Sequence, residues 1–156
     1  MITWIAVTSG ARARIFETTG RRQPLTEITS MVNPEDRLQK KELRNDKPGR
    51  ATDAQRGQRH TMGMADNPKD QVADDFARSI VERLSGDALA KRFDRLCVVA
   101  PPRFLGMLRN HMNGPLKASL AGEINKDLTA EAPAAIHQHV EPVLWPPVPR
   151  VPGIGT

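Results

Sequence analysis

The chain has 156 residues, enough for one domain with a sizeable core, and a formal net charge of +5 from 23 Lys and Arg against 18 Asp and Glu. An excess of basic over acidic residues favours an anionic partner such as RNA, phosphate or an acidic protein. One cysteine excludes an internal disulfide, and no apolar run reaches the roughly 18 residues of a transmembrane helix. With no signal segment in view, we predict a cytoplasmic protein.

The first part of the chain has the pattern of three short strands, at residues 2–8, 11–18 and 25–32. The second strand alternates, which places Arg12, Arg14 and Phe16 on one face. Brief turns join the three strands, so they predict an antiparallel meander. Pro34 ends the pairing because it has no amide proton to donate.

The clearest helix pattern begins at Asn67-Pro68, a cap followed by a first-turn proline, and is predicted to end at Ser85-Gly86. Its apolar residues recur every four positions: Val72, Phe76, Ile80 and Leu84. This spacing indicates one face packed on a core.

The second half of the chain alternates between strand and helix patterns. Residues 96–100 predict a central strand covered on both faces, with Cys97 as a buried core residue. A helix follows from about Arg103 to a cap at Asn113-Gly114. Residues 116–128 are ambiguous, and we interpret them as a short helical turn followed by a strand at residues 122–127. Thr129 is the predicted N-cap of a last helix that ends near Val140.

These elements predict an α/β domain at residues 1–140, in the order β-β-β-long loop-α-β-α-β-α, with a mixed sheet and flanking helices. The long basic loop covers about residues 33–70. Residues 141–156 are Pro-rich and predict an extended tail.

The long loop is the predicted binding element. From Arg37 to His60 it holds eight Lys and Arg against three Asp and Glu, and it has no aromatic residue for base stacking. Arg and Lys spaced by flexible residues suit phosphate contacts whose strength falls with salt. The predicted anion-binding or RNA-binding residues are Arg44, Lys47, Arg50, Arg56, Arg59, His60, Arg103 and Arg109.

The sequence predicts neither a metal site nor a cofactor. His137 and His139 lie two apart on a predicted helix, so they face different ways and do not form an i, i+4 ligand pair. Asp94 and Asp127 flank predicted strands, and isolated carboxylates of this kind are usually caps or salt-bridge partners. No phosphate-binding glycine loop or nucleophile motif is present.

The chain resembles the bacterial host-attachment family, whose members are described as required for attachment to host cells. The resemblance covers about residues 1–140. It is carried by blocks at residues 10–16, 33–35, 46–50, 59–60, 93–109 and 123–129.

That family is in turn similar to the middle domain of archaeal and eukaryotic class-1 release factors. The resemblance implies a ribonuclease-H-like fold with a long loop after the early strands. In release factors this loop carries Gly-Gly-Gln, whose Gln helps to place water at the peptidyl-tRNA ester. Here the loop reads Arg56-Gly57-Gln58-Arg59, with Arg in place of the first Gly. The resemblance thus implies Gln58 as the candidate catalytic residue.

Three hypotheses follow for function. The first is a non-enzymatic or weakly enzymatic protein that uses its basic loop to bind the ribosome, rRNA, tRNA or another anionic partner. The second is a release-factor-like hydrolase of peptidyl-tRNA or RNA. The third is a protein-interaction module that acts through the Pro-rich tail. The sequence leaves the oligomeric state open.

Overall fold

The computed structural model of the protein describes residues 1–36 and 68–148. In chain order its strands are β1 (Thr3–Thr8), β2 (Arg12–Thr18), β3 (Thr26–Val32), β4 (Arg95–Ala100) and β5 (Leu120–Asn125). Its helices are α1 (Pro68–Leu89), α2 (Pro102–His111), α3 (Gly114–Ser119) and α4 (Pro133–Leu144). The order agrees with the predicted one, and α3 stands where the sequence predicts a short helical turn.

The strands form one mixed sheet in the order β3-β2-β1-β4-β5. β1 pairs antiparallel with β2, and β2 with β3, which makes the predicted meander. β1 pairs parallel with β4, and β4 with β5, because helical crossovers carry the chain back to the same edge. The predicted α/β class, with one mixed sheet and flanking helices, is therefore confirmed.

The sheet lies between two apolar layers, because successive residues of a strand point to opposite faces. On one face Trp4 and Ala6 pack with the residues of α1, α2 and α3. On the other face Ile5 and Val7 pack with residues of α4. All 6 residues of β1 are buried. Burying each large aliphatic side chain contributes about 1.5–3 kcal/mol, so this doubly covered strand is a major source of stability.

β4 is the predicted central strand, and its apolar run divides between the two layers. Leu96 and Val98 face the α1–α3 layer, whereas Cys97 and Val99 face α4. Burial raises the pKa of the Cys97 thiol to about 12, because the thiolate would lose its solvation. Cys97 is a core residue, as predicted, and remains a thiol at neutral pH.

The first helix is longer than predicted. Ser85-Gly86 does not end α1, which continues to Leu89. The apolar stripe also continues, because Ala88 packs against the core one turn after Leu84. That burial offsets the roughly 1 kcal/mol cost of a helical glycine. Beyond Leu89 the chain turns away at Lys91. Its φ of 57° is the left-handed conformation that glycine usually adopts just after a helix ends.

The last helix begins later than predicted, at Pro133, and Thr129 is not its N-cap. Arg12 and Arg14 of β2 both donate to the carbonyl oxygen of Thr129, at 2.6 and 3.0 Å. Arg14 also donates to the carbonyl oxygen of Glu131, at 2.8 Å. These contacts hold residues 129–131 as a loop over β2, on the face where the sequence places Arg12 and Arg14.

Two further boundaries differ from the prediction. Asn113 does not end α2; its Oδ1 accepts from the Leu116 amide at 2.9 Å and caps the start of α3. α4 continues past Val140, through Pro142, to the buried Leu144. Pro142 has no N–H to donate to the carbonyl oxygen of Gln138, and the burial of Val140 and Leu144 on either side of it offsets this loss.

Candidate functional site

The predicted binding element lies between β3 and α1. We call Arg37–His60 the basic segment. It lies outside the described residues, together with seven of the predicted site residues: Arg44, Lys47, Arg50, Arg56, Gln58, Arg59 and His60. The structure does describe both flanks of this stretch, up to residue 36 and from residue 68 onward.

Asn33 ties the two flanks together. Its side chain is buried, and Nδ2 donates to the carbonyl oxygens of Gly10 at 3.0 Å and Val72 at 3.4 Å. Its Oδ1 accepts from the amide of Glu35 at 3.2 Å, and its own amide donates to Ala11. One side chain therefore joins the β1–β2 turn, the end of β3 and the second turn of α1. The stretch that contains the basic segment leaves and re-enters the fold at one place.

An ion pair and a histidine–carboxylate hydrogen bond join α1 to α2 beside this place. Arg103 Nη2 lies 2.5 Å from Asp70 Oδ2, and His111 Nε2 lies 3.1 Å from Asp74 Oδ1. Asp70 is in the first turn of α1, where its charge also favours the positive end of the helix dipole. The Arg103 side chain is 74% exposed, so this predicted site residue is accessible although it has a carboxylate partner.

Arg109, the other predicted site residue that the structure describes, lies elsewhere. Its guanidinium makes a bidentate contact with Glu123 of β5, at 2.5 Å from Nη2 and 3.0 Å from Nε. This hydrogen bond raises the pKa of Arg109. Six residues along a helix turn through about 240°, so Arg103 and Arg109 face different ways. The structure does not bring them into one site.

Asp94 and Asp127 are separated by the sheet. Asp94 precedes β4 and accepts from the amide of Ile2 at 2.7 Å, whereas Asp127 follows β5 and accepts from the amide of Thr129 at 3.0 Å. Because β4 and β5 are parallel, a residue that precedes β4 and one that follows β5 lie at opposite ends of the strands. Each carboxylate accepts from a backbone amide, Asp94 across 92 residues and Asp127 two residues on, and the two do not form an acid/base pair.

Neither a cluster of metal-ligand side chains nor a membrane-spanning helix is found in the part of the chain that the structure describes. No group of three or more His, Cys, Asp or Glu side chains converges there. None of the helices described has the length and apolar character needed to cross a bilayer.

Charge is divided unevenly along the chain. Residues 1–36 and 68–148 contain fourteen Lys and Arg against fourteen Asp and Glu, while residues 37–67 contain eight against four. Many of the basic side chains in the described part have carboxylate partners: Arg14, Arg21, Arg78, Arg83, Arg92, Arg103 and Arg109. The positive excess of the protein thus resides almost entirely in the basic segment.

Sequence reasoning found the basic segment but missed the residue that anchors it. Asn33-Pro34 signals only the end of a strand, and an Asn at such a position commonly bonds to the backbone two residues on. That local signal accounts for the contact with Glu35. The contact with Val72 spans 39 residues and has no sequence signature.

Comparison with known proteins gives a family match and a structural likeness at low sequence identity. The family described as "Protein required for attachment to host cells" matches residues 4–140. No curated protein matches the sequence. Among the solved structures, the archaeal translation termination factor aRF1 is similar at 14% sequence identity and a TM-score of 0.45. The match covers 89% of this chain but only 37% of that factor.

Proposed function

We propose that this chain, which belongs to the family of proteins required for attachment to host cells, is a binding protein whose basic segment contacts RNA. The ribosome, rRNA or tRNA would be the partner, recognised mainly through phosphate. A cytoplasmic location, which the sequence predicts, suits such a partner.

The observation that carries this proposal is the division of charge. The described part of the chain has equal numbers of basic and acidic residues, and many of its arginines are paired with carboxylates. A polyanion would therefore be drawn to the basic segment and not to the folded surface as a whole. Arg side chains suit this contact because their planar guanidinium matches two phosphate oxygens at once.

The anchoring by Asn33 supports the same proposal. The two flanks of the stretch are held together by Asn33, so the described chain leaves and re-enters the fold at neighbouring points. Arg103 lies beside the re-entry point, on the next helix. Its guanidinium is exposed although it pairs with Asp70, so a phosphate can reach it.

Co-sedimentation with ribosomes at several salt concentrations tests the proposal. We expect binding at low salt that falls steeply as salt rises, because each phosphate contact releases counterions. Failure to co-sediment even at low salt would contradict a ribosomal partner, and binding that ignores salt would contradict phosphate recognition.

The alternative is hydrolysis of peptidyl-tRNA or RNA, with Gln58 positioning water and Arg56, Arg59 and His60 holding phosphates. The Gly57-Gln58 pair within the basic segment motivates it. Gln58→Ala separates the two proposals, because binding alone does not need that amide. Equal peptidyl-tRNA hydrolysis by the parent protein and Gln58→Ala would remove the central residue of the enzymatic proposal.

The third candidate is partner binding through the Pro-rich tail. Leu144 is buried and belongs to α4, so a deletion that tests the tail should start after Val148. Retention of every protein partner after removal of residues 149–156 would exclude this role for the deleted residues.

A further inference from the structure

A groove lies on the α4 side of the sheet, between the β2–β3 turn and the first two turns of α4. Its volume is about 570 Å³, within the range of pockets that hold small molecules. Residues 22–25 form one wall, and Pro133, Ala134 and His137 of α4 contribute to the other. The turn follows β2 at the edge of the sheet opposite to Asn33, so the groove is separate from the anchor of the basic segment.

The charges that line the groove are basic. Arg22 is its cation, His137 is its titratable group, and no Asp or Glu lines it. Glu141 lies near, but Arg21 occupies it with an ion pair of 2.7 Å. No ion pair of Arg22 is found within the described part of the chain, and the residue is exposed. The Arg21 contact lowers the pKa of the Glu141 carboxyl, and the charge of Arg22 adds to this effect from a distance. The groove therefore offers a cation to an anionic ligand group.

His137 is held in a defined orientation at the groove. Its Nε2 lies 2.9 Å from the carbonyl oxygen of Arg21, so Nε2 carries the proton that it donates. Its ring stacks on Trp145, with 6.5 Å between ring centroids and 27° between planes. Trp145 is itself covered by the Arg95 guanidinium, 5.8 Å from the indole centroid. These contacts keep the imidazole in place before any ligand arrives.

The walls of the groove are apolar and stiff. Pro24 and Leu25 lie on the turn side, and Pro133 and Ala134 on the helix side. Two prolines restrict the backbone on both sides, and Leu25 is anchored in the core that α4 covers. A preformed apolar surface lowers the entropic cost of holding a ligand.

We propose that this groove binds a small organic carboxylate with a compact apolar body, its carboxylate at Arg22 and its apolar part between Leu25 and Pro133. Arg22 supplies a planar fork that matches a carboxylate. The apolar walls supply contact that a simple inorganic anion does not use. The site needs neither the basic segment nor RNA.

Amide NMR spectra of the 15N-labelled full chain test the proposal with three probes. 4-Phenylbutyrate has the carboxylate and the apolar body, 4-phenylbutanol has the body without charge, and acetate has the charge without the body. We expect saturable shifts with 4-phenylbutyrate at the amides of Gln23, Leu25, Ala134 and His137. Affinity for each of the other two probes should be weaker by about fivefold or more, because each lacks one half of the recognition.

Arg22→Gln and its matched control Arg78→Gln test whether Arg22 is the cation that binds the carboxylate. Both remove one exposed guanidinium, but Arg78 lies on α1 and pairs with Asp75 on the other side of the sheet. Arg22→Gln should lower the affinity for 4-phenylbutyrate to that of 4-phenylbutanol, and Arg78→Gln should leave it unchanged. The proposal is overturned if 4-phenylbutyrate gives no saturable shift, if the shifted amides lie elsewhere, or if the two variants behave alike.

Discussion

At the scale of single residues, Asn33 has more structural consequence than any charged residue around the basic segment. A buried amide is costly unless its donors and acceptor are all used, and Asn33 uses both Nδ2 and Oδ1. In the ion pair between Arg103 and Asp70 the guanidinium is largely exposed, so solvent screens the pair and limits its contribution to stability. The flanks of the basic segment are therefore held by a neutral hydrogen-bond network that salt does not screen.

Asn33→Ala should lower the free energy of unfolding by about 2 kcal/mol, because it removes three hydrogen bonds made by a buried side chain. Asn110→Ala is the matched control, since Asn110 is exposed on α2 and its loss should change stability by no more than about 0.5 kcal/mol. Urea unfolding followed by far-UV circular dichroism measures both. Equal effects of the two substitutions would show that the Asn33 contacts do not stabilise the fold.

At the scale of elements, the local sequence pattern was enough to predict the strands that are buried on both faces. β1 and β4 are continuous apolar runs, and the structure places both at the centre of the sheet. The predictions failed where residues distant in sequence decide a boundary. Thr129 looks like a helix cap, but Arg12 and Arg14 bind its carbonyl oxygen across more than a hundred residues and delay α4 to Pro133.

The same limit applies to the candidate site. Composition was enough to identify the basic segment, because an excess of Arg and Lys can be counted directly. Whether Arg103 and Arg109 act together depended on helical phase and on partners in α1 and β5, which no local pattern reports. The groove at Arg22 could not be predicted from the sequence either, since its two walls come from a turn and a helix that are distant in sequence.

α4 packs closely against β5 at Gly122, which has no side chain. A Cβ on Gly122 would overlap Cγ1 of Val143, so only glycine allows this approach. Gly122→Ala should lower the free energy of unfolding by about 1–3 kcal/mol, as overpacking usually does. Val143→Ala removes the opposing methyl groups from a side chain at the surface, so its own cost should be below about 1 kcal/mol.

The double variant distinguishes steric overlap from a general effect of alanine in the strand. If the overlap is the cause, Gly122→Ala combined with Val143→Ala should be more stable than the sum of the single effects predicts, by about 0.5 kcal/mol or more. Urea unfolding of the four proteins completes the cycle. Simple additivity would contradict close packing as the reason for glycine at this position.

At the scale of the whole molecule, the question is whether a polyanion binds to the basic segment itself or is attracted by the net charge of the protein. A protein with net charge +5 has a weak affinity for any polyanion, whatever its surface. The proposed function requires more, namely that the contacts come from the basic segment. Variants with the same net charge but different locations of the lost charge separate these two causes.

The segment variant replaces Arg44, Lys47 and Arg50 with Gln, and the control replaces Arg78, Lys117 and Lys126, which are exposed on the folded part. Both lower the net charge equally. For binding to bulk tRNA, the plot of log affinity against log salt should become shallower by about two for the segment variant, because three phosphate contacts are lost. The control should keep the parent slope. Filter binding at a series of salt concentrations measures both, and equal flattening would assign the affinity to net charge instead of the basic segment.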